Sequence, residues 1–328
     1  MNRKAISLLS GGLDSVLATK IIQSQGIEVV GLHFTSPFSS RREKERGLQA
    51  IRSSEELGIK LIIKEKESDY IDIIKKPRHG YGKNMNPCID CRIYMLKKTK
   101  DIMKEEDAGF VVTGEVLGQR PMSQRRDTIN IIERESGLAG LILRPLSAKH
   151  FPPSIPEKEG IVDRSGLFDI TGRSRAIQYE LANRFMLSEF GCPGGGCLLT
   201  DPIFSRKLRD LFQHDTSSTM TDIVLLSIGR HFRLNEKMKV ILGRNKNEND
   251  MLFSINKEGY TLILPSGFTG PVALVKGNPD DAYLNIIGNI IACFSKYPGD
   301  MINIEIIDGE TRIYTAEKKL LDIEKIKI

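Results

Sequence analysis

The stretch Ala5-Ile6-Ser7-Leu8-Leu9-Ser10-Gly11-Gly12-Leu13-Asp14-Ser15-Val16-Leu17 decides the architecture. Residues 5–9 form a short apolar run that reads as a buried strand. From 14 to 24, Val16, Leu17, Ile21 and Ile22 recur at helical spacing. The chain must therefore turn sharply between them. Gly11 and Gly12 allow a tight turn and let the backbone approach a ligand with no Cβ in the way. Ser10, Ser15 and the amides that open the helix then face an anion, favoured by the helix dipole. The spacing of a Walker A loop is absent.

Outward from this loop, 29–34, 60–64, 110–113 and 141–146 read as further strands, and 41–57, 92–106 and 173–189 as helices. The alternation predicts an α/β domain with a mostly parallel sheet covered on both faces. Ligands of such sheets bind at the carboxyl ends of the strands, where the loops 10–15, 36–40 and 114–119 would lie. The Pro- and Gly-rich stretch 149–163 predicts an ordered surface loop, and the polar stretch 213–221 a domain boundary. Beyond it, strands over 240–242, 261–264, 272–275 and 302–306 and a helix over 280–294 predict a smaller α+β domain. The expected division is 1–216 and 217–328.

A chain of 328 residues suits two domains at about 100–200 residues each. With 40% hydrophobic and 27% charged residues it is neither disordered nor fibrous. No apolar run approaches the ~18 residues of a membrane span, and the apolar start is too short for a signal peptide, so no membrane partner is expected. Five cysteines fall far below the density of a disulfide scaffold and predict a cytoplasmic protein with reduced thiols. The net charge is +6; residues 217–328 hold 14 basic and 14 acidic residues, so the whole surplus lies in the first 216. Residues 36–100 alone hold 16 basic and 9 acidic residues, including Arg41, Arg42, Lys75, Lys76 and Arg78. They offer a polyanion such as RNA a local basic surface.

Four cysteines form two close pairs, Cys88-Ile89-Asp90-Cys91 and Cys192-Pro193-Gly194-Gly195-Gly196-Cys197. Such spacing lets two thiolates meet one metal or each other. Three readings stay open: a Zn²⁺ site with four ligands, an iron–sulfur site with three ligands and an open iron, or a redox pair that carries a persulfide. Cys293, in the apolar run 286–294, is expected in the core. His79, His150 and His214 are isolated and read as structural; His33 follows the second strand, close to the Gly loop.

The hexapeptide Ser10-Gly11-Gly12-Leu13-Asp14-Ser15 resembles the signature of the PP-loop ATP pyrophosphatases. The resemblance implies cleavage of ATP to AMP and pyrophosphate, with the loop holding pyrophosphate and Asp14 working with Mg²⁺. Cys91-Arg92-Ile93-Tyr94-Met95, Val112-Thr113-Gly114-Glu115-Val116-Leu117-Gly118-Gln119, Ser123-Gln124 and Arg144-Pro145-Leu146 resemble segments of the 4-thiouridine synthetase (tRNA sulfurtransferase) family. This similarity covers roughly residues 5–150. It implies that Gly114, Glu115 and Gln119 contact ATP or the target base; His33, placed beside the same site by its strand, reads as an adenine contact or a packed histidine. Sulfur-inserting relatives use cysteines in similar places, some through a 4Fe-4S cluster held by three of them. Cys88, Cys91 and Cys197 are the expected ligands, with Cys91 and Cys197 catalytic and Cys192 a fourth ligand or persulfide carrier. The synthetases carry an N-terminal RNA-capturing domain before this loop, and many a rhodanese domain after it. The loop here begins at residue 10 and no rhodanese domain is read, so either RNA capture and sulfur delivery are organised differently or the substrate is not tRNA.

In the C-terminal part, Val240-Ile241-Leu242-Gly243-Arg244-Asn245-Lys246-Asn247-Glu248-Asn249-Asp250 resembles a segment of the NFACT-type RNA-binding domain. Arg230, Arg233, Arg244 and Lys246 would supply donors to phosphate and 2′-OH groups. The expectation is thus an ATP-dependent sulfurtransferase that thiolates a uridine of tRNA or another structured RNA with sulfur from sulfide or a persulfide carrier. The alternatives are a PP-loop ligase or amidotransferase for a small carboxylate or amide with a zinc site, and a non-catalytic RNA-binding adaptor.

Overall fold

The computed structural model describes residues 2–39, 41–191, 197–255 and 258–328, and only the backbone of 41–44 and 46. The chain separates into two compact units, Met1–Asp201 and Pro202–Ile328.

The first unit runs β1 (Lys4–Leu8), α1 (Leu13–Gln23), β2 (Glu28–Thr35), α2 (Arg41–Leu57), β3 (Leu61–Glu65), α3 (Asp69–Lys75), α4 (Cys88–Glu105), β4 (Phe110–Thr113), α5 (Arg126–Ser136), β5 (Ile142–Leu143), α6 (Ile155–Lys158) and α7 (Ala176–Arg184). Its five strands order as β3-β2-β1-β4-β5, and every pairing is parallel. β1 is central, with Ile6 opposite Val30 on one side and Val111 on the other. β1 and the residue after it feed opposite faces in turn: Ala5 and Leu9 pack with α1 and α7, Ile6 and Leu8 with α4 and α5. The chain leaves β1 towards β2 and later resumes at β4 on the opposite side. The topological switch therefore lies between β1 and β4, where a sheet of this kind opens its ligand crevice.

The observed helices refine the expected ones. The helix expected over 92–106 begins at Cys88, so the Cys-x-x-Cys pair is its first turn. The helix expected over 173–189 is confined to Ala176–Arg184, because Met186 takes a left-handed backbone (φ 55) just beyond it. The expected fifth strand is only Ile142–Leu143. The stretch 149–163 is ordered by a capping box in which Ser154 and Glu157 cap α6 reciprocally.

The second unit runs α8 (Pro202–His214), α9 (Met220–Leu225), β6 (Arg230–Arg233), β7 (Lys239–Leu242), α10 (Lys246–Phe253), β8 (Tyr260–Pro265), β9 (Ala273–Lys276), α11 (Asp281–Cys293), β10 (Met301–Ile307), β11 (Thr311–Glu317) and α12 (Ile323–Ile326). Its antiparallel sheet orders as β11-β10-β8-β9-β7-β6. Alternation again assigns the faces: Val240, Ile263, Val275 and Ile304 meet Leu284, Ile287 and Ile291 of α11, while Ile241, Leu262 and Leu274 meet Leu225 and Leu252. The unit starts at α8, earlier than the polar stretch suggests. Lys207 of α8 donates to the carbonyls of Leu226 and Gly229 at 3.1 and 3.2 Å, and Asp210 holds Arg233 and Lys239. Cys293, expected in the core, is exposed, because it falls on the solvent side of the last turn of α11. No helix of the described residues is long and apolar enough to cross a membrane.

Candidate functional site

The Gly loop follows β1 as its sequence requires. Gly11 has a φ of 73, which a residue with a side chain rarely adopts. Gly12 is the N-cap of α1 and offers no side-chain cap; its carbonyl takes the Ser15 and Val16 amides at 3.0 and 3.2 Å, which leaves those of Leu13 and Asp14 to a ligand. The Ser15 hydroxyl accepts from the Ser10 amide at 3.2 Å, shares a bond with the Ser10 hydroxyl at 3.1 Å, and donates to the Gly12 carbonyl at 2.8 Å. The loop after β4 presses against it: a Cβ on Gly114 would lie 2.5 Å from the Asp14 carbonyl and from the Ser15 amide nitrogen. Glycine is required there by close approach of two backbones.

The two loops enclose a cavity of about 170 Å³. Of the predicted residues, Ser10, Gly12, Asp14, Ser15, His33, Gly114 and Gln119 line it. His33 donates from Nδ1 to the Leu9 carbonyl at 2.9 Å. Burial pushes its pKa down, against the effect of that bond, and Lys66 adds to the lowering, so the ring is neutral and presents Nε2 as an acceptor. Gln119 donates to Asp14 Oδ2 at 2.7 Å and is itself held by buried Gln178 of α7 at 3.3 Å. Arg175, the residue before α7, brings Nε to 3.5 Å from the same Asp14 oxygen.

Glu115 is not on the cavity wall. It is fully buried, with Arg144 Nε and Arg92 Nε each 2.9 Å from its carboxylate and the Thr113 hydroxyl at 3.3 Å. Burial would raise its pKa, but the charge of Arg92 and then of Arg144 outweighs this and holds it below the usual range. Arg144 also pairs with Glu133 of α5. Glu115 therefore braces the loop, and through it Arg92 is aimed at the cavity.

Three of the four paired cysteines fall within the described residues of this unit. Cys88 and Cys91 open α4, and Cys197 pairs by an antiparallel bridge with Ser39 beyond β2. Cys192 lies outside the described residues. Cys88, Cys91 and Cys197 all act on one residue, Tyr70 of α3, which is buried and whose hydroxyl hydrogen-bonds the Cys91 sulfur. Burial, then these three sulfurs, push the Tyr70 pKa well up, so it stays a phenol. Lys66 donates to the Cys91 sulfur at 3.2 Å and stands 4.6 Å above the Tyr70 ring. Burial and the nearby Cys91 raise the Cys88 thiol. No three His, Cys, Asp or Glu side chains among the described residues converge tightly enough for a single metal ion. Asp90, between the two cysteines, accepts from the amides of Arg78 and His79 and so ties the preceding loop to α4.

The candidate RNA contacts are dispersed. Arg41 and Arg42 belong to α2, but their side chains lie outside the described atoms. Lys75 is half-buried and Lys76 exposed, while Arg78 pairs with Glu135 at 3.2 Å. In the second unit, Arg233 grips Asp210 through two bonds of 2.9 and 2.6 Å, and Arg230 stacks 4.5 Å over Phe294. Arg244 is exposed and pairs with Glu248; Lys246 is exposed at the start of α10. The sequence reading missed Lys66, Tyr70, Arg175 and Gln178. Only the run Gly172-Arg173-Ser174-Arg175, basic and just ahead of a helix, carried a local signal.

Comparison with known proteins agrees with the motifs. Residues 1–150 match the family model for the thiamine biosynthesis protein ThiI, and residues 229–326 match that for the NFACT protein RNA-binding domain. A "Probable tRNA sulfurtransferase" of Thermococcus kodakarensis is 29% identical over 171 residues, 51% of this chain and 42% of that protein. One of Anoxybacillus flavithermus is 33% identical over 146 residues, 44% of this chain and 35% of that protein. The chain thus spans less than half the length of these relatives. Among solved structures, a 4-thiouridine synthetase–RNA complex with bound ATP is similar at a TM-score of 0.37 and 24% identity, over 68% of this chain and 52% of that one.

Proposed function

We propose, from the matches over residues 1–150 and 229–326, that this chain is an ATP-dependent sulfurtransferase acting on a uridine of tRNA. One observation carries the reading: adjacent residues near the start of α4 serve two sites. Arg92 faces the cavity of the Gly loop, and Cys91 faces Lys66, Tyr70 and the other thiols. Nucleotide chemistry and sulfur chemistry thereby share one helix end.

In this reading the loop around Ser10, Gly11, Gly12 and Ser15 takes the pyrophosphate of ATP, and Asp14 the accompanying Mg²⁺. The uracil oxygen attacks the α-phosphorus, and the bond to pyrophosphate breaks. Sulfide then attacks the activated ring carbon, and AMP leaves with the former carbonyl oxygen; where a persulfide is the attacking group, a second thiol then cleaves the carrier's S–S bond, which frees the thiouridine and leaves a disulfide. Oxygen alone is a poor leaving group; the phosphate ester makes it a good one. Gln119 and neutral His33 offer a donor and an acceptor to adenine, ribose or uracil.

A 4Fe-4S cluster is our reading for the thiol set: Cys88, Cys91 and Cys197 all act on the Tyr70 phenol, while among the described residues no three side chains converge on a single ion. Cys88, Cys91 and Cys197 would hold it, and it would present an open iron for sulfur. Lys66 and Tyr70 would donate to the Cys91 sulfur. Such thiols call for a reducing compartment, the cytoplasm.

Anaerobic purification with iron, sulfide and zinc analysis, followed by an ATP-to-AMP assay with and without tRNA, tests this. The expected protein is brown, absorbs near ~400 nm, loses its iron in Cys88→Ser, Cys91→Ser and Cys197→Ser, and forms AMP when tRNA is present. Stoichiometric zinc would turn the reading towards a ligase, and no AMP under any condition towards an adaptor.

A further inference from the structure

We infer that Arg175 is the pyrophosphate-binding cation of the nucleotide cavity, and that one magnesium–phosphate ligand satisfies both it and the second oxygen of Asp14. This rests on the ATP-dependent reading above.

The Gly loop itself contains no cation between Ser10 and Ser15, while the pyrophosphate it would hold is a polyanion. Three arginines line the cavity, Arg92, Arg120 and Arg175. Arg92 is held by Glu115 at 2.9 Å, and Arg120 acts on Cys88. Arg175 differs. Its Nε is buried and makes no hydrogen bond, although Asp14 Oδ2 lies 3.5 Å away. Gln119 donates to that same oxygen at 2.7 Å. The other oxygen of Asp14, Oδ1, is also buried without a partner.

A guanidinium and a carboxylate thus meet at one cavity wall, each with a desolvated atom unsatisfied. Buried polar atoms without partners are rare and mark what a ligand supplies. A lone anion would leave Asp14 repelled, and a lone cation would leave Arg175 repelled. A phosphate oxygen that carries a divalent cation answers both at once. The planar fork of arginine also matches phosphate geometry in two bonds. Two neighbours fix the placement: Gln178, one turn into α7, holds Gln119, which in turn holds Asp14.

The test is calorimetric titration of the full chain with magnesium ATP, magnesium pyrophosphate and AMP. Arg175→Ala is expected to weaken ATP and pyrophosphate by about tenfold or more, the scale of a charged hydrogen bond, and to leave AMP within about twofold. Arg175→Lys should recover part of the loss. Arg173→Ala, which removes an exposed arginine two residues away, should change none of the three. Wild-type ATP binding in Arg175→Ala, or equal losses for AMP and pyrophosphate, would overturn the inference. A wild-type chain that binds neither ATP nor pyrophosphate would overturn the nucleotide reading itself. Unaltered thermal unfolding of Arg175→Ala separates loss of contact from loss of fold.

Discussion

Gly114 and Gly12 look alike in the sequence, yet they carry different loads. A methyl group on Gly114 meets backbone at 2.5 Å, which cannot move without pulling Asp14 from the cavity. On Gly12 the nearest atom is the Ser10 hydroxyl at 3.6 Å, and its φ of −87 suits any residue. Gly114→Ala should therefore cost about 1–3 kcal/mol through overpacking and abolish ATP binding, while Gly12→Ala should leave the melting temperature unchanged. Differential scanning calorimetry separates them. At this scale the sequence shows what is local. The serines and glycines of the loop and the close cysteine pairs stand side by side in the chain. Arg175, Gln178, Lys66 and Tyr70 reach the same sites from far-off segments, where nothing about an arginine or a tyrosine tells which loop it will meet. Glu115 shows the converse: a carboxylate among glycines reads as a ligand contact, because the arginines that enclose it are invisible until β5 packs beside β4.

Between elements, that carboxylate joins β4 to α4, β5 and α5 through Arg92 and Arg144. Replacing it by Gln takes a counter-charge from buried Arg144, which keeps Glu133, and from partly exposed Arg92, at about 1–3 kcal/mol. Because its folded pKa lies below the unfolded value near about 4.3, the stability it contributes is complete above that pH and is lost as acid protonates it in the fold. Glu115→Gln should be less stable at pH 7 and flatter in acid, as urea unfolding at several pH values would show. Lys239 gives the opposite profile. Burial brings its pKa down from 10.5 to about 8, against the pull of Asp210. Between those values the unfolded chain binds the extra proton, so the second unit should gain stability as pH rises from about 8 to 10.5. Calorimetry of Lys239→Met should show that gain removed. Strand periodicity announced β7 to β10 but not β6 or β11. Arg230-His231-Phe232-Arg233 is mostly polar, and β11 leaves most of its side chains exposed, so neither has the apolar rhythm of a core strand. α8 falls before the polar stretch 213–221, which reads as the boundary, although Asp210 of α8 holds Arg233 of β6 and Lys239 of β7.

Across the whole molecule, charge and fold divide the work. All of the net +6 lies in the first 216 residues, and the neutral remainder matches an RNA-binding domain. Affinity for tRNA should therefore have two components. Arg244→Ala with Lys246→Ala should weaken binding at all salt concentrations tested and reduce the salt slope by about two, while a steep salt dependence survives from the basic stretch 36–100. Filter binding between low and physiological salt measures both; a double variant with wild-type affinity and slope would remove α10 from the interface. Within the first unit, the chain that leads to the second cysteine pair returns to the Gly loop. Gly191 donates to the Gly11 carbonyl at 2.7 Å and bridges Gly12, and the described chain resumes at Cys197 beside Ser39. One peptide carbonyl is thus common to the turn of the Gly loop and to the approach to the thiols. Thermodynamic linkage makes any coupling through it reciprocal: the factor by which occupancy of the turn changes affinity at the sulfurs is the factor by which loading the sulfurs changes affinity at the turn.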